Sequence, residues 1–144
     1  MDYSVPDAVG LSQVMTEAAA PAFVLGAVAG FISILLGRLN AVVDRVRSLN
    51  AITDDDADRV HLKADVLRLR RSAQLLKSAM LLALASGIST AMLLLVAFLS
   101  AFFRLQHVYG AALLFIVAIT FLAAALFRFA QEVAIGLSEA DHYR

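Results

Sequence analysis

Cysteine and tryptophan are absent from this chain of 144 residues, and proline occurs only twice. Without cysteine the protein forms no disulfide, and it has no thiolate to bind a metal or to perform redox chemistry. So few prolines leave long stretches in which a helix can continue without a break. Twelve basic and twelve acidic residues cancel, so the chain lacks the positive excess typical of nucleic-acid-binding proteins. We therefore expect no nucleic-acid partner.

Charged residues are also few, and apolar residues are correspondingly abundant. Hydrophobic residues make up 61% of the chain and the mean hydropathy is +0.81, whereas soluble domains are about 45–50% apolar. Three stretches carry no charge, namely residues 22–37, 78–103 and 105–127. A membrane-spanning helix takes roughly 20 residues, and the uncharged residues 18–20 and the snorkelling stem of Arg38 extend the first stretch. The sequence therefore predicts an all-α membrane protein with three transmembrane helices.

We expect a single membrane domain over residues 1–144. Its predicted segments are a periplasmic or interfacial segment at 1–20, a first span at 21–37, a cytoplasmic helical hairpin at 38–77, a second span at 78–103, a third span at 105–127 and a cytoplasmic tail at 128–144. Pro21 lacks the backbone N–H that a continuous helix uses, so we expect a break or a kink there. Before it, the spacing of Leu11, Val14 and Met15 predicts a short amphipathic helix at the interface.

The basic residues are unevenly distributed between the connecting segments. Eleven of the twelve lie at 38–77 or 128–144, and only Arg104 lies on the other side of the predicted spans. Basic residues accumulate on the cytoplasmic side of membrane proteins. The N-terminus is therefore expected outside, and the C-terminus in the cytoplasm.

Two apolar seams indicate that the first two helices pack together beyond the membrane. Each seam repeats at alternating spacings of three and four residues, which is typical of paired helices. The first seam contains Val28, Ile32, Leu35, Leu39, Val42, Val46 and Leu49, and the second contains Leu62, Val66, Leu69, Ala73, Leu76, Met80, Ala83 and Gly87. With a turn at residues 50–58, the seams predict an antiparallel cytoplasmic hairpin.

The opposite face of the first helix carries small and polar residues at the same spacings. This small face consists of Gly26, Gly30, Ser33, Gly37, Asn40 and Asp44. One interpretation is that a neighbouring helix packs closely on it. The other is that it lines a central pathway in a homo-oligomer, with rings of Ser33, Asn40 and Asp44. The two interpretations are compatible if several copies cluster around an axis.

Charged residues lie at the C-terminal end of the small face, which we expect on the cytoplasmic side, namely Arg38, Asp44 and Arg45. A ring of Arg38 would favour anions, and a ring of Asp44 would favour cations. The simpler alternative places Arg38 on a lipid phosphate and pairs Asp44 with Arg47 or Arg71. No Asp, Glu, Lys or His lies deep in a predicted span, which argues against a proton-coupled transporter.

Other polar groups have structural interpretations. The second helix carries a polar stripe of Ser86, Thr90, Ala97, Ser100 and Arg104. Hydroxyl groups in helices bond readily to carbonyls of the preceding turn, so we assign this stripe to helix packing. Arg128 and Glu132 are four residues apart in the third helix, which predicts a surface ion pair.

No sequence motif indicates catalysis or metal binding. An acidic cluster comprises Asp54, Asp56, Asp58 and Asp65. Its spacing resembles a calcium loop, but Arg59 replaces the required glycine, so we assign the cluster to capping of the second helix. His61, His107 and His142 are far apart in sequence, and no catalytic triad, phosphate loop or zinc motif occurs. We therefore expect no enzyme activity, no cofactor and no metal site.

Three stretches resemble a bacterial membrane-protein family. They are PAFVLGAVAGFISILLGRLNAVVDRVRSL, LRLRRSAQLLKSAMLL and LFRFAQEVAIGL. The most specific elements are Arg38-Leu39 followed by Asp44-Arg45, the pair Arg70-Arg71, and Glu132 after the third span. Over residues 11–138 the chain is similar to the family catalogued as domain of unknown function 2721. The resemblance implies a multi-pass protein of the bacterial inner membrane with this helix arrangement, and it implies no activity.

Two functional hypotheses follow from these patterns. The first is a homo-oligomeric ion channel or pore lined by the first helix, because three helices leave little room for an aqueous path within one protomer. The alternative is a non-conducting scaffold or adaptor. Its basic hairpin would bind a cytoplasmic protein partner or anionic lipid through Arg68, Arg70 and Arg71. Membrane lipid is an expected partner in both cases.

Overall fold

The structure is a computed structural model that describes residues 8–51, 65–103 and 108–140. Within these residues it contains three α-helices, α1 (Ala8–Asn50), α2 (Asp65–Phe103) and α3 (Val108–Ala140). At about 1.5 Å per residue each helix is longer than the ~30 Å hydrocarbon core of a bilayer. Each is long and apolar enough to cross a membrane. By the length and apolar composition of its helices, the prediction of an all-helical chain with three membrane-spanning helices is confirmed.

Helix α1 runs without interruption through Pro21, which is buried. The predicted break at this residue is therefore wrong, and the expected short interfacial helix is the first part of α1. Proline removes its own N–H from the helical ladder, and its ring crowds the carbonyl four residues earlier. Membrane helices tolerate that loss because neighbouring groups and small backbone adjustments satisfy the freed carbonyl.

Helices α1 and α2 pack in antiparallel directions along the two predicted seams. Leu35, Leu49 and Leu76 are almost fully buried, and the other described seam residues are buried or half-buried. Leu62 and most of the predicted turn lie outside the described residues. The two helices are in tight contact at Gly87, where an added Cβ would lie 3.3 Å from Cγ1 of Val28. Glycine at this position lets the two helices come together without moving the valine.

Helix α3 packs mainly against α2 through small residues. Ala118 and Ala125 are fully buried, and Oγ of Ser86 donates a hydrogen bond to the carbonyl of Ala118 across the interface at 2.7 Å. Thr90 is also fully buried and donates to the carbonyl of Ser86, four residues earlier. These contacts agree with the packing interpretation of the second polar stripe, of which Arg104 lies outside the described residues.

A small cluster of buried residues joins the three helices. Its members are Phe31, Leu35, Leu76, Ala79, Ala83 and Ala125. Phe31 of α1 meets Phe129 of α3 edge to face, with ring centroids 5.5 Å apart, a favourable arrangement for aromatic rings. Large apolar side chains such as Ile88, Leu113 and Ile116 cover the outer surface. Such a surface suits acyl chains rather than water.

The close approach at Gly87 generates a stability prediction. We expect Gly87→Leu to lower the free energy of unfolding by about 1–3 kcal/mol, because the new side chain overpacks against Val28. The measurement is thermal unfolding of the purified protein in detergent. Gly110→Leu is the matched control, since a Cβ at Gly110 meets nothing within 4 Å. Equal destabilisation by the two variants would contradict the close contact.

Candidate functional site

The small face of α1 is exposed along its whole length. All six of its residues are exposed, and a Cβ added to Gly26, Gly30 or Gly37 would meet nothing within 4 Å. Neither α2 nor α3 therefore covers this face. The bulky seam on the other side of α1 is occupied by α2, so the two faces of one helix have opposite environments in the protomer.

Two polar members of the small face have no partner among the residues that the structure describes. The side chains of Ser33 and Asn40 form no hydrogen bond among the described residues. Asp44 pairs with Arg47 at 3.6 Å, and both side chains are largely exposed. This is one of the two pairs considered for Asp44 from the sequence. An exposed pair of this kind contributes about 0–1 kcal/mol, so the face remains open and polar.

A polar centre joins all three helices at the level of Arg38. Nη2 of Arg38 in α1 donates to both carboxylate oxygens of Glu132 in α3, at 3.0 and 2.9 Å. Oγ of Ser72 in α2 donates to Oε1 of the same carboxylate at 2.7 Å. Glu132 is only 3% exposed. Arg38, Ser72 and Glu132 therefore form a three-helix polar centre with one residue from each helix.

The polar centre corrects the surface pair predicted between Arg128 and Glu132. Glu132 points inward to Arg38 and Ser72, whereas Arg128 is exposed. Burial of an ionised carboxylate is costly unless hydrogen bonds and an opposite charge compensate it. Arg38 and Ser72 provide both. Ala118, Ala125 and Glu132 are spaced by seven residues in the sequence, and in the structure all three are buried.

A pocket of about 250 Å³ opens beside the polar centre. We call it the basic pocket. Its polar lining consists of Arg38, Arg45, Arg68, Ser72 and Glu132, and its apolar lining consists of Ala41, Val42, Leu69, Ile135 and Gly136. Three guanidinium groups and one carboxylate thus converge on one opening between the three helices. The arrangement suits an anionic ligand better than a cationic one.

The arginines selected from the sequence do not form one cluster. Arg68 lines the basic pocket, whereas Arg70 lines a different opening between α1 and α2, together with Val43 and Arg47. Arg71 is exposed. Residues two apart on a helix point in different directions. Arg68 and Arg70 therefore lie on different surfaces of α2.

Several candidate residues lie outside the described part of the chain. They are Asp54, Asp56, Asp58, His61, His107 and His142. Asp65 is described, stands in the first turn of α2 and pairs with Arg68 at 3.6 Å. A carboxylate at a helix N-terminus stabilises the helix through its dipole, in agreement with the capping interpretation of this residue.

The polar centre generates a second stability prediction. We expect Arg38→Met to lower the free energy of unfolding by about 2–4 kcal/mol, because it leaves the buried carboxylate of Glu132 uncompensated, and the half-exposed Arg38 moderates the loss. Arg47→Met, which removes an arginine from an exposed pair on the same helix, is the control and is expected to change stability by about 0–1 kcal/mol. Thermal unfolding in detergent measures both. The double variant Arg38→Met/Glu132→Leu is expected to recover part of the loss, and a purely additive result would argue against the pair.

Comparisons with known proteins give one family match. No curated protein matches the chain, and no solved structure matches it. A family model described as protein of unknown function, DUF2721, matches residues 18–142, which include the small face and the polar centre. The resemblance noted from the sequence is thereby confirmed, and the chain belongs to the DUF2721 family.

Proposed function

We propose that the protein is a homo-oligomer of the bacterial inner membrane in which the small faces of several α1 helices meet around an axis and line an ion-conducting path. The observation that carries the proposal is the exposure of all six residues of the small face. The bulky seam of the same helix is already used by α2. The small face is therefore a part of α1 that is available to another copy.

The chemistry of the small face supports contact with protein or water rather than with lipid. Small residues at spacings of three and four let helix backbones approach closely in membranes. Ser33 and Asn40 lack hydrogen-bond partners in the described part of the chain, and acyl chains would supply none. Polar side chains within spans usually face other helices or a water-filled cavity. A symmetric cluster of α1 helices supplies one or both environments.

The charges near the inner end of the small face favour cations over anions in this proposal. Arg38 is held by Glu132 on another side of α1, so it does not contribute a ring of unpaired positive charge. Asp44 lies on the small face itself and keeps only a long, exposed contact to Arg47. Rings of carboxylates at a pore mouth attract cations.

The orientation in the membrane follows from the basic residues. Arg38 and Arg128 directly follow the first and third apolar stretches, and Lys77 directly precedes the second. We assign these three charges to the cytoplasmic boundary. The N-terminus then lies outside. The C-terminal part of α1 and the first part of α2 project together into the cytoplasm as an antiparallel hairpin.

A non-conducting scaffold is the second candidate function. Leu67, near the start of α2, is 82% exposed and precedes the exposed Arg70 and Arg71 by three and four residues, which places them on the same side of the helix. An exposed leucine beside arginines at the end of a projecting hairpin suits the docking of an acidic protein partner. In this case the oligomer would organise partners at the membrane and conduct no ions.

Self-association through the small face is tested by cysteine crosslinking, which is direct because the chain has no native cysteine. We expect Ser33→Cys to form disulfide-linked dimers in native membranes, since symmetry brings equivalent residues of the small face together. Ile88→Cys is the control, because Ile88 is exposed on α2 and lies off this face. Equal crosslinking of the two variants would overturn the proposed contact.

Conduction is tested separately with the purified oligomer in planar lipid bilayers. We expect cation-preferring currents that Asn40→Leu abolishes, because the variant replaces a polar lining residue with an apolar barrier. Asp44→Asn is expected to reduce the preference for cations. Gln74→Leu, an amide-to-apolar change at an exposed residue of α2, is the control and should leave the currents unchanged. A folded oligomer that conducts no ions would overturn the channel and favour the scaffold.

A further inference from the structure

We infer that the basic pocket binds the phosphate group of an anionic membrane lipid. The inference rests on the residues that converge there, and it does not depend on whether the protein conducts ions. Arg38, Arg45 and Arg68 line the opening together with Ser72 and Glu132. The ligand chemistry is that of a phosphate diester, a group that arginine recognises through paired N–H donors.

The net charge of the pocket suits a single anion. Arg38 is neutralised by Glu132, at 2.9 Å. Arg68 has a longer contact to Asp65, at 3.6 Å, and both side chains are about half exposed. The Arg45 side chain has no ion-pair or hydrogen-bond partner among the described residues. The pocket therefore retains one uncompensated positive charge, and a phosphate diester carries one negative charge.

The end of the pocket at Glu132 lies at the depth of the headgroup region of the bilayer. Arg128 ends the apolar stretch of α3, and Glu132 lies one helical turn, or ~6 Å, beyond it. The headgroup layer extends about 5–8 Å beyond the hydrocarbon core on each side. On the cytoplasmic side, where we assign this end of the helices, that layer contains the phosphates of anionic lipids. A lipid is therefore favoured over a soluble phosphate as the source of the ligand.

The shape of the pocket also suits a lipid headgroup. Its remaining walls are apolar and include Val42, Leu69 and Ile135. Gly136 borders the space beside Arg38, because an added Cβ would lie in van der Waals contact with Nη2 of that arginine, at 3.9 Å. A larger side chain at residue 136 would extend into this space and leave every charge in place. Gly136→Leu therefore tests the pocket by shape alone.

The experiment measures phospholipid retained by the full-length protein, using native mass spectrometry after exchange into detergent containing either phosphatidylglycerol or phosphatidylcholine. We expect the wild type to retain phosphatidylglycerol preferentially. Arg45→Gln should weaken this retention about fivefold, the effect of one basic residue near an anionic headgroup. Gly136→Leu should reduce it as well. Arg47→Gln, which removes an arginine outside the basic pocket on the same helix, should leave it unchanged.

Each alternative result has a definite meaning. Equal loss in Arg45→Gln and Arg47→Gln would overturn the pocket in favour of diffuse attraction to a basic surface. Equal retention of phosphatidylcholine would overturn the requirement for net negative charge. Displacement of the lipid by millimolar inorganic phosphate would overturn the lipid assignment and identify a soluble anion as the ligand. Thermal unfolding of each variant is also measured without lipid. A variant that unfolds like the wild type but retains less lipid has lost the site and kept the fold.

Discussion

The carboxylate of Glu132 is the group around which the three helices are arranged. It is almost completely buried, yet it accepts hydrogen bonds from Arg38 of α1 and Ser72 of α2. Helix α1 touches α3 much less than it touches α2, and the ion pair and the contact between Phe31 and Phe129 are its main links to α3. In a bilayer the hydrophobic effect does not drive helices together. A shared polar group therefore specifies where α1 lies relative to the other two helices.

Helix α1 combines two surfaces with different roles. Its bulky seam is buried against α2, and the contact between Val28 and Gly87 shows how closely the two helices approach. Its small face is left open, with Ser33 and Asn40 unpartnered among the described residues. The proposed oligomer uses the open face, and the proposed lipid site lies between the two surfaces, where residues of all three helices line one pocket. The two proposals thus concern different sides of one helix.

Hydrophobic periodicity was sufficient to predict most of the fold and little of the candidate site. The three apolar stretches and the seams of α1 and α2 follow from spacings within one helix, which a single sequence contains. The pair between Arg38 and Glu132 joins residues 94 positions apart, and each residue taken alone resembles an ordinary charge near a membrane boundary. The seven-residue spacing of Ala118, Ala125 and Glu132 is visible in the sequence, but that all three are buried is visible only in the structure. Pro21 was misleading because local preference alone does not decide whether a membrane helix continues.

The separation between Arg38 and Glu132 has a consequence for the order of assembly. A ribosome adds about 5–20 residues per second, so the 94 residues between the two partners take roughly 5–20 seconds to synthesise. During that interval α1 and α2 can already pair through their seams, while Glu132, whose carboxylate pairs with the guanidinium of Arg38, has not yet been made. The arrival of α3 closes the polar centre. Helix α1 is therefore made first, but its position relative to α3 is fixed only after Glu132 has been made.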